Sequence, residues 1–398
     1  MNKVLLVSFD AVSSGDFDRL AALPNFRRFV QEAYVARNVP SIFLTNTYPI
    51  HTSVVTGVTP EFHGVISNTR FKPEADYQEW VYRSRSIRAK PLWRAAKQAG
   101  LTTAAVLWPV TGGASEINWN VPEIMIKPGR AWLLRQVAVG LLRGSFWTQI
   151  KAIARHGRML SGTDQPRLDN FATAVMLDII EEHQPDLSLI HLTAFDTLCH
   201  KYGRDFDKLT PALESLDRNL GALVSAMPKD ALIIVFSDHG QLDVYKTINP
   251  NFVLRELGFV TLRENEAATG SYKYFIENCG GSAFVHSFAK PGTPEEISVI
   301  KSALEKSEGF GRFLTPAEMR MCGRGRLPLG FAAAPGFSYD TSRKGERANH
   351  GYPIDYDAYK VFYAVRQGGA PLKPAGEPSL LNLAGIIGRE LGLTSYKG

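Results

Sequence analysis

The chain has 398 residues, of which 44% are hydrophobic and 21% are charged. These fractions are those of a soluble globular protein, and the length is enough for one large domain or two ordinary ones. The formal net charge of +6 is modest for this length. It suits anionic substrates better than a nucleic-acid surface, so no nucleic acid is expected among the partners.

Three further features narrow the class of protein. No window approaches ~18 consecutive apolar residues, so no transmembrane helix is expected. The first ten residues, MNKVLLVSFD, form a short apolar run that ends in an acid, which predicts a first strand and not a signal peptide. Cys199, Cys279 and Cys322 are too few and too scattered for a disulfide framework or a Cys-rich zinc site. We therefore expect a cytoplasmic protein in a reducing compartment.

Taken in order, the chain alternates apolar strands with amphipathic helices. Strands are predicted at residues 3–9, 34–39, 102–107, 187–192, 231–236 and 360–365. Helices are predicted at residues 25–32, 92–98, 167–182, 210–227, 293–307 and 380–391. Repeated strand–helix–strand units predict an α/β fold with a mostly parallel central sheet flanked by helices.

Two segments interrupt this alternation. Residues 128–160 are basic and apolar together and predict a helical insertion packed on the main domain with a solvated basic face. The alternatives are a lid over the site, or contact of residues 130–158 with a membrane surface. Residues 265–327 are interpreted as a smaller cap region, which leaves residues 1–264 and 328–398 as the α/β core that would carry a catalytic site.

Acids stand at or near the ends of three predicted strands. Asp10 closes the first strand, Asp196 follows the strand at 187–192, and Asp238 follows the strand at 231–236. In parallel α/β sheets, ligands gather outside the carboxyl ends of the strands. We therefore expect these three carboxylates to lie close together at one edge of the sheet.

Histidines accompany these acids. Asp196 and His200 are four residues apart, so one turn of helix directs both towards a single cation. Asp238 and His239 are adjacent at a strand tip, and His350 comes from the far end of the chain. Counting the acid of the first strand, six oxygen and nitrogen ligands without a thiolate predict two divalent ions. Zinc is the first expectation and manganese the alternative.

A hydroxyl-rich stretch at residues 44–68 reads LTNTYPIHTSVVTGVTPEFHGVISN. Pro49 fixes φ at about −65° and bars a helix from continuing through Tyr48, so Thr47 is expected at a turn before a new element. There its hydroxyl can be presented to a ligand beside free backbone N–H groups. The rival hydroxyls are interpreted as turn or helix-start groups; they are Thr45, Thr52, Ser53 and Thr56.

These motifs together resemble the alkaline phosphatase superfamily, specifically its nucleotide pyrophosphatase/phosphodiesterase branch. The threonine–aromatic–proline motif of that family matches residues 47–51, its Thr-Gly matches residues 56–57, and its proline–acid–x–His-Gly matches residues 60–64. The likeness runs from Asp10 to His350 and is weak in the insertion and cap.

The resemblance implies a role for each matched residue. Thr47 would be the metal-bound nucleophile that forms a phospho-threonine intermediate, and Asn68 would hold a phosphoryl oxygen. The ion that activates the nucleophile would be bound by Asp10, Asp238 and His239. The ion on the opposite side of the phosphoryl group would be bound by Asp196, His200 and His350. The implied activity is hydrolysis of a small-molecule phosphodiester or nucleotide pyrophosphate.

Departures from the family pattern border the ligands without removing one. Gln241 replaces a frequent Met after His-Gly, and Cys199 stands where a Gly is usual before His200. Cys199 is interpreted as a packed neighbour and not a ligand. Ordinary hydrogen-bonded or core roles are expected for the remaining histidines of interest, which are His51, His63, His183, His191 and His286.

The choice between ester types follows from charge. A monoester dianion needs extra positive charge beside the nucleophile, whereas Asn68 is neutral and residues 47–57 contain no arginine. This favours diesters or nucleotide pyrophosphates. The alternatives are phosphonate hydrolysis of the phosphonoacetate type, which shares the Thr and Asn pattern, and a non-catalytic phosphoester-binding protein that has kept the fold.

Overall fold

The structure is a computed structural model that describes residues 3–127, 132–160, 164–288, 292–341 and 345–393. The first residues of the predicted insertion and of the 130–158 surface, up to residue 131, therefore lie outside the described residues. The strands, in chain order, are β1 Val4–Phe9, β2 Tyr34–Pro40, β3 Thr69–Arg70, β4 Glu79–Trp80, β5 Thr103–Val106, β6 Trp119–Val121, β7 Leu187–Leu192, β8 Leu232–Ser237, β9 Leu242–Ile248, β10 Thr261–Leu262, β11 Ala268–Thr269, β12 Tyr274–Cys279, β13 Ser282–Ser287, β14 Phe310–Phe313, β15 Leu329–Ala333, β16 Gly336–Tyr339, β17 Ala348–Asn349, β18 Lys360–Gln367 and β19 Ala370–Pro371.

The helices connect and cover these strands. In chain order they are α1 Phe17–Ala21, α2 Pro24–Gln31, α3 Thr47–Thr56, α4 Pro60–His63, α5 Leu92–Gln98, α6 Trp132–Arg143, α7 Phe146–His156, α8 Arg167–His183, α9 Ala194–Tyr202, α10 Phe206–Ala226, α11 Asn251–Glu256, α12 Pro294–Glu305, α13 Pro316–Met321 and α14 Asn382–Glu390. Five of the six predicted helices, namely α2, α5, α8, α12 and α14, lie within one or two residues of their predicted bounds. α10 begins four residues before its predicted start, because Asp205 caps it and Pro211 lies inside the helix instead of opening it.

An eight-stranded sheet forms the centre of the molecule, in the order β19-β18-β8-β1-β7-β5-β6, with β2 also paired to β18. The strands β8, β1, β7, β5 and β6 run parallel to one another. β18 pairs antiparallel with β8, β2 and β19. The predicted α/β fold with a mostly parallel central sheet is therefore confirmed.

Both faces of this sheet are buried, which explains the nearly continuous apolar strands. Successive side chains of β1 alternate between two cores. Leu5, Val7 and Phe9 pack with helices α2, α8, α9 and α10. Val4 and Leu6 pack on the opposite face with residues of α3, α5 and α14. The helix α3, which carries the predicted nucleophile, is thereby held against the rigid middle of the sheet.

The helix α3 begins earlier than Pro49 alone indicates. It runs from Thr47, so Pro49 lies in its first turn, where a missing N–H leaves no intrahelical bond unmade. All ten residues of the helix are buried. Thr47 therefore occupies the first turn of a helix instead of a turn in front of one.

A second, antiparallel sheet in the order β12-β13-β15-β14 lies in the C-terminal half of the chain. It combines strands from within the predicted cap, residues 265–327, with β15 from beyond that boundary. Residues 289–291 of the cap lie outside the described part. The division of the chain into core and cap stays a prediction.

The insertion forms a hairpin of two helices, α6 and α7, joined at residues 144–145. The turn is anchored to the core because Ser145 Oγ donates to Asn118 O at 2.9 Å, and the Asn120 N–H donates to Ser145 Oγ at 2.9 Å. Within the described ranges, no helix combines the length and apolar character needed to cross a membrane. Contact of the hairpin with a membrane surface stays a prediction.

Candidate active site

Strand order brings the predicted acids together. β7 and β8 flank β1, and Phe9 is in register with Leu192 of β7 and Ser237 of β8. Asp10 and Asp238 each follow directly after these register positions, and Asp196 lies in the first turn of α9, just past the end of β7. The three carboxylates thus meet at the carboxyl edge of the sheet, as parallel strands dictate.

The first cluster contains Asp10, Asp238 and His239. One ligand atom from each lies within 4.8 Å of the others, and all three side chains are buried. His239 Nε2 is 3.4 Å from Asp10 Oδ1 and 3.3 Å from Asp238 Oδ2. Neither of these two buried oxygens accepts a hydrogen bond from the described residues. Two orphaned carboxylate oxygens facing an imidazole nitrogen form a set of acceptors that a cation satisfies.

The second cluster contains Asp196, His200 and His350, whose ligand atoms also lie within 4.8 Å of one another. Asp196 and His200 share one face of α9, with His200 Nε2 at 3.5 Å from Asp196 Oδ1. His350 follows β17 and stands between the clusters. Its ring centroid is 4.4 Å from that of His239 and 5.2 Å from that of His200. The six side chains predicted as ligands therefore form two adjacent groups of three.

Hydrogen bonds orient all three imidazoles. His200 Nδ1 donates to Ala348 O at 2.9 Å, His239 Nδ1 donates to Gly240 O at 3.2 Å, and His350 Nδ1 donates to Asn46 Oδ1 at 3.0 Å. Because Nδ1 donates in each ring, Nε2 is the nitrogen left to bind a cation once it is unprotonated. Metal-binding histidines typically use this arrangement.

Burial and the crowding of negative charges shift the pKa values of the residues in the two clusters. Burial, reinforced by the charges of Asp196 and Asp238, raises the pKa of Asp10 well above its usual value. Burial lowers the pKa of His239 to about 3. Burial acts the same way on His200, but the nearby carboxylates of Asp196 and Glu346 outweigh it and raise its pKa to about 9. Three carboxylates in one buried space are stabilised by positive charge.

The predicted nucleophile lies beside the first cluster. Thr47 Oγ1 is 3.3 Å from His239 Nε2. The Thr47 carbonyl accepts a hydrogen bond from His51 Nδ1 at 2.8 Å, and His51 Nε2 lies 2.8 Å from Ser8 Oγ on β1. His51 therefore has the hydrogen-bonded role expected for it and fixes the first turn of α3 to the central strand.

Asn68 reaches the same place from the segment before β3. Its side-chain Oδ1 accepts the Tyr48 N–H at 2.9 Å. Since Oδ1 is occupied, the Nδ2 amide group is the part of Asn68 that remains to donate to an oxygen next to Thr47. Thr47 and Asn68 both line the cavity that contains the two clusters.

Several supporting residues were missed by the sequence analysis. Gln241 Nε2 donates to Asp196 Oδ1, and Asp169 accepts the backbone N–H groups of Thr193 and Ala194 at 2.9 Å each, which fixes the start of α9. Asn46 orients His350 from the position before Thr47. No sequence signal predicts these three contacts: Asn46 precedes α3, but its side chain makes no cap bond to that helix, and Gln241 stood out only as a departure from the family pattern.

His191 has the hydrogen-bonded role expected for it, but its partner is Asp10, a residue of the first cluster. It lies on β7 with Nε2 3.1 Å from Asp10 Oδ2 and Nδ1 3.2 Å from Glu123 Oε2. The two carboxylates raise the pKa of His191 well above its usual value, although burial opposes them. His191 therefore holds the second oxygen of Asp10 and leaves the first one facing the cluster.

A glycine permits the close packing behind His239. At Gly240, a Cβ atom would lie 1.8 Å from Ala358 O. A side chain at this position would push the strand tip carrying Asp238 and His239 away from the chain before β18. The glycine of the Asp-His-Gly motif is explained by this contact.

Comparison with known proteins adds an independent line of evidence. The family model described as type I phosphodiesterase / nucleotide pyrophosphatase matches residues 4–293. Human ectonucleotide pyrophosphatase/phosphodiesterase family member 5 is 26% identical over 251 residues, covering 60% of this chain and 44% of the human protein. The bis(5'-adenosyl)-triphosphatase enpp4 of Xenopus laevis is 25% identical over 250 residues, covering 60% and 47%. The chain thus matches about half the length of these relatives.

Solved structures share the fold. Murine ectonucleotide pyrophosphatase/phosphodiesterase 5 superposes with a TM-score of 0.68 at 19% identity, covering 99% of this chain and 96% of the murine chain. An inactive threonine-to-alanine variant of the murine protein, in complex with AMP, gives a TM-score of 0.68 at 18% identity and covers 100% and 96%. At this level of identity the likeness establishes the fold.

Proposed function

This chain belongs to the type I phosphodiesterase / nucleotide pyrophosphatase family, and from that premise we propose that it hydrolyses phosphodiester or nucleotide pyrophosphate bonds with two divalent metal ions. The observation that carries the proposal is the position of the Thr47 hydroxyl, 3.3 Å from His239 Nε2 at the edge of a buried cluster of acceptors. A non-catalytic binding protein has no need of a hydroxyl in that place.

The two clusters fit divalent ions by the chemistry of their donors. Oxygen and imidazole ligands without thiolate suit zinc first, and manganese is the alternative. Asp10, Asp238 and His239 would hold the ion beside Thr47, and Asp196, His200 and His350 would hold the other. When bound, the ions supply Lewis-acid charge that lowers the pKa of the Thr47 hydroxyl and stabilises the charge that develops on phosphoryl transfer.

The residues of the chain carry out the remaining steps. Thr47 gives up its hydroxyl proton to solvent, its oxygen bonds to phosphorus, and the bond from phosphorus to the leaving oxygen breaks. The Nδ2 group of Asn68 donates to a non-bridging phosphoryl oxygen, held in direction by the Tyr48 N–H on Oδ1. Water then attacks the phospho-threonine, which releases a phosphate monoester and restores the hydroxyl.

The test is turnover of bis(p-nitrophenyl) phosphate with zinc or manganese supplied. Thr47→Ala is expected to abolish turnover and to keep both ions, because all six cluster side chains remain. Thr56→Ala is the matched control, since its hydroxyl donates within the same helix to Thr52 O at 2.7 Å and does not line the cavity. Wild-type rates for Thr47→Ala would contradict the nucleophile.

Assays on the same metal-loaded protein distinguish the alternative activities. Turnover of phosphonoacetate but not of diesters would favour phosphonate hydrolysis. Bound metal without turnover of any ester, pyrophosphate or phosphonate would favour a binding protein. Faster turnover of the diester than of p-nitrophenyl phosphate is expected, because Asn68 brings no positive charge to a monoester dianion.

A further inference from the structure

The hairpin of α6 and α7 has an outer face that differs from the rest of the molecular surface. In the described part of the chain, twelve large hydrophobic side chains are exposed to solvent, and seven of them belong to residues 132–156. Leu134, Leu142 and Trp147 are 74%, 80% and 78% exposed. Single exposed apolar residues are ordinary on a protein surface, but their concentration in one short segment marks a contact surface.

The two helices are apolar on their inner side as well as on their outer side. On the inner side, Val137 and Ile153 line the apolar part of the cavity that contains the two clusters. On the outer side of α6, the exposed residues Leu134, Ala138 and Leu142 are spaced by four and therefore share one face. A helix at the surface of a globular protein usually has polar residues on its outer side. The apolar outer side of α6 is thus left without a partner.

Contacts with the core fix the orientation of the hairpin. Gln136 Nε2 donates to Ile124 O, which joins the inner side of α6 to the segment after β6. Arg155 Nη1 lies 2.9 Å from Asp178 Oδ2, which joins α7 to α8. These bonds hold the outer face towards solvent, so the core does not cover it.

The charge of the hairpin is of one sign. Residues 132–156 contain four Lys or Arg and no Asp or Glu. Lys151 and Arg155 pair with acids of α8. Arg135 and Arg143 are exposed next in sequence to the exposed leucines, and no described carboxylate pairs with either of them. The outer face therefore combines apolar side chains with uncompensated positive charge.

This combination distinguishes between two occupants of the face. In a two-fold contact between copies of the chain, the face would meet itself and bring Arg135 and Arg143 against the same arginines, with no acid of the hairpin to offset them. An anionic lipid surface offers phosphates to the arginines and hydrocarbon to the leucines, and tryptophan favours the boundary between the two. Charge complementarity therefore selects the lipid surface.

We propose that the outer face of the hairpin, formed by Leu134, Arg135, Leu142, Arg143 and Trp147, docks the protein on an anionic lipid surface. The apolar side chains enter the boundary between headgroups and acyl chains while the arginines contact the phosphates. The inference does not depend on the proposed hydrolase activity. Each arginine near an anionic leaflet strengthens binding roughly fivefold, and salt screens this attraction.

The first experiment is co-sedimentation of the full chain with lipid vesicles at ~0.1 M salt. Vesicles of phosphatidylcholine with about one-third phosphatidylglycerol should bind the protein roughly tenfold or more tightly than vesicles of phosphatidylcholine alone. Raising the salt to ~1 M should weaken the binding, because the Debye length falls from ~10 Å to ~3 Å. Absence of binding, or equal binding to both kinds of vesicle, would overturn the proposal.

Removal of charge locates the attraction on the hairpin. The double variant Arg135→Gln/Arg143→Gln should bind the anionic vesicles roughly 30-fold more weakly. Arg28→Gln/Lys229→Gln is the matched control, since it removes the same net charge at exposed positions on other elements. The control should bind close to the wild type. Equal weakening in both double variants would assign the attraction to the net charge of the protein and overturn the proposal.

A charge introduced among the apolar side chains tests the other half of the face. Leu142→Asp should lower the affinity for anionic vesicles roughly tenfold or more, because an exposed leucine no longer enters the lipid. Val299→Asp on α12 is the matched control, since it adds the same charge to another helix at a position 48% exposed. Both variants should keep the melting temperature of the wild type. Wild-type affinity of Leu142→Asp would contradict the docking face.

Trp147 reports which part of the protein touches the lipid. Vesicles whose acyl chains carry bromine quench only tryptophans in contact with them, and the chain has six tryptophans. Trp147→Phe should keep most of the binding and lose most of the quenching, because phenylalanine preserves the apolar contact. Quenching that persists in Trp147→Phe would place another tryptophan at the lipid and overturn the assignment of the face.

Sedimentation velocity without vesicles tests the competing occupant. The wild type and Leu142→Asp should have the same oligomeric state. A wild-type dimer that Leu142→Asp dissociates would make the face a contact between copies of the chain and overturn the proposal.

Discussion

Arg324 is a buried guanidinium that connects the second sheet to the segment carrying Asn68. It is 1% exposed, and its Nη2 donates to Glu277 Oε1 at 2.7 Å. Its Nη1 donates to Ile66 O at 2.6 Å, two residues before Asn68, and its guanidinium stacks 4.2 Å from the Phe284 ring centroid. We predict that Arg324→Leu both destabilises the protein and misplaces Asn68.

The size of the expected destabilisation follows from the buried charge of Glu277, which Arg324→Leu leaves without its partner. Glu277 is 5% exposed, and removing one partner of a buried ion pair destabilises by about 3–5 kcal/mol. The pKa of Glu277 gives a similar free energy. Burial opposes ionisation of Glu277, but Arg324 and the hydrogen bond from His286 outweigh it and lower its pKa from 4.5 to about 2. A shift of that size corresponds to roughly 3 kcal/mol.

The assay is urea unfolding of wild type, Arg324→Leu and Arg324→Leu/Glu277→Leu at pH 7. The single variant is expected to lose about 3–5 kcal/mol of unfolding free energy, and the double variant to regain part of that loss because no buried charge remains. The single variant should also turn over substrate with a lower kcat, since the role proposed for Asn68 is to stabilise the transition state. A loss below about 1 kcal/mol would refute the reasoning.

The pH dependence of the same pair has a definite sign. The pKa of Glu277 is lower in the folded protein than in the unfolded chain, so its contribution is complete above about pH 4.5 and is lost as the pH falls towards about 2. Glu277→Gln should therefore lack this acid-dependent part of the stability. Identical acid titrations of unfolding free energy for wild type and Glu277→Gln would contradict the assignment.

Three further outcomes are expected. Asn46→Ala should lower metal affinity or activity about 10–100-fold, because His350 loses the acceptor that orients its ring, and Asn46→Asp should rescue part of the loss. Gln241→Leu should lower the metal affinity of the cluster that contains Asp196 by a similar factor, measured by competition with a chelating dye; unchanged metal affinity would contradict this role. Chelation should lower the melting temperature, because the orphaned oxygens of Asp10 and Asp238 lose their cation, and added metal at ~100 Kd should restore roughly 3 kcal/mol.

Much of the site could be predicted because the carboxyl ends of parallel strands lie together at one edge of the sheet. Asp10, Asp196 and Asp238 follow strands that the apolar pattern locates well, and adjacency of those strands brings the acids together. His200 follows from helical spacing. His350 could be placed only through the family motif, since nothing in its local sequence shows that β17 carries it back to the clusters.

The supporting contacts could not be predicted, because they depend on side chains that meet only in the folded protein. Asp169 lies 24 residues before Thr193 and fixes the start of α9 from another helix. Gln241 was interpreted as a departure from the family pattern, whereas its amide donates to Asp196. No spacing rule links such pairs.

The apolar cavity likewise could not be predicted from its parts. Residues 132–160 show an amphipathic pattern, but the pattern does not say that the inner face of α6 and α7 covers a cavity continuous with the site. That arrangement depends on the bonds of Gln136, Ser145 and Gln149 to the segments around β6 and within the hairpin.

The central claim is that six side chains hold two divalent ions beside Thr47, and metal stoichiometry tests it most directly. Mass spectrometry of protein equilibrated with zinc and freed of excess metal should find two ions per chain in the wild type and in Thr47→Ala. One ion should remain after Asp238→Ala, which removes a ligand of the first cluster, and after His200→Ala, which removes one of the second. A wild-type chain without metal, or an Asp238→Ala or His200→Ala chain that keeps two ions, would contradict the claim.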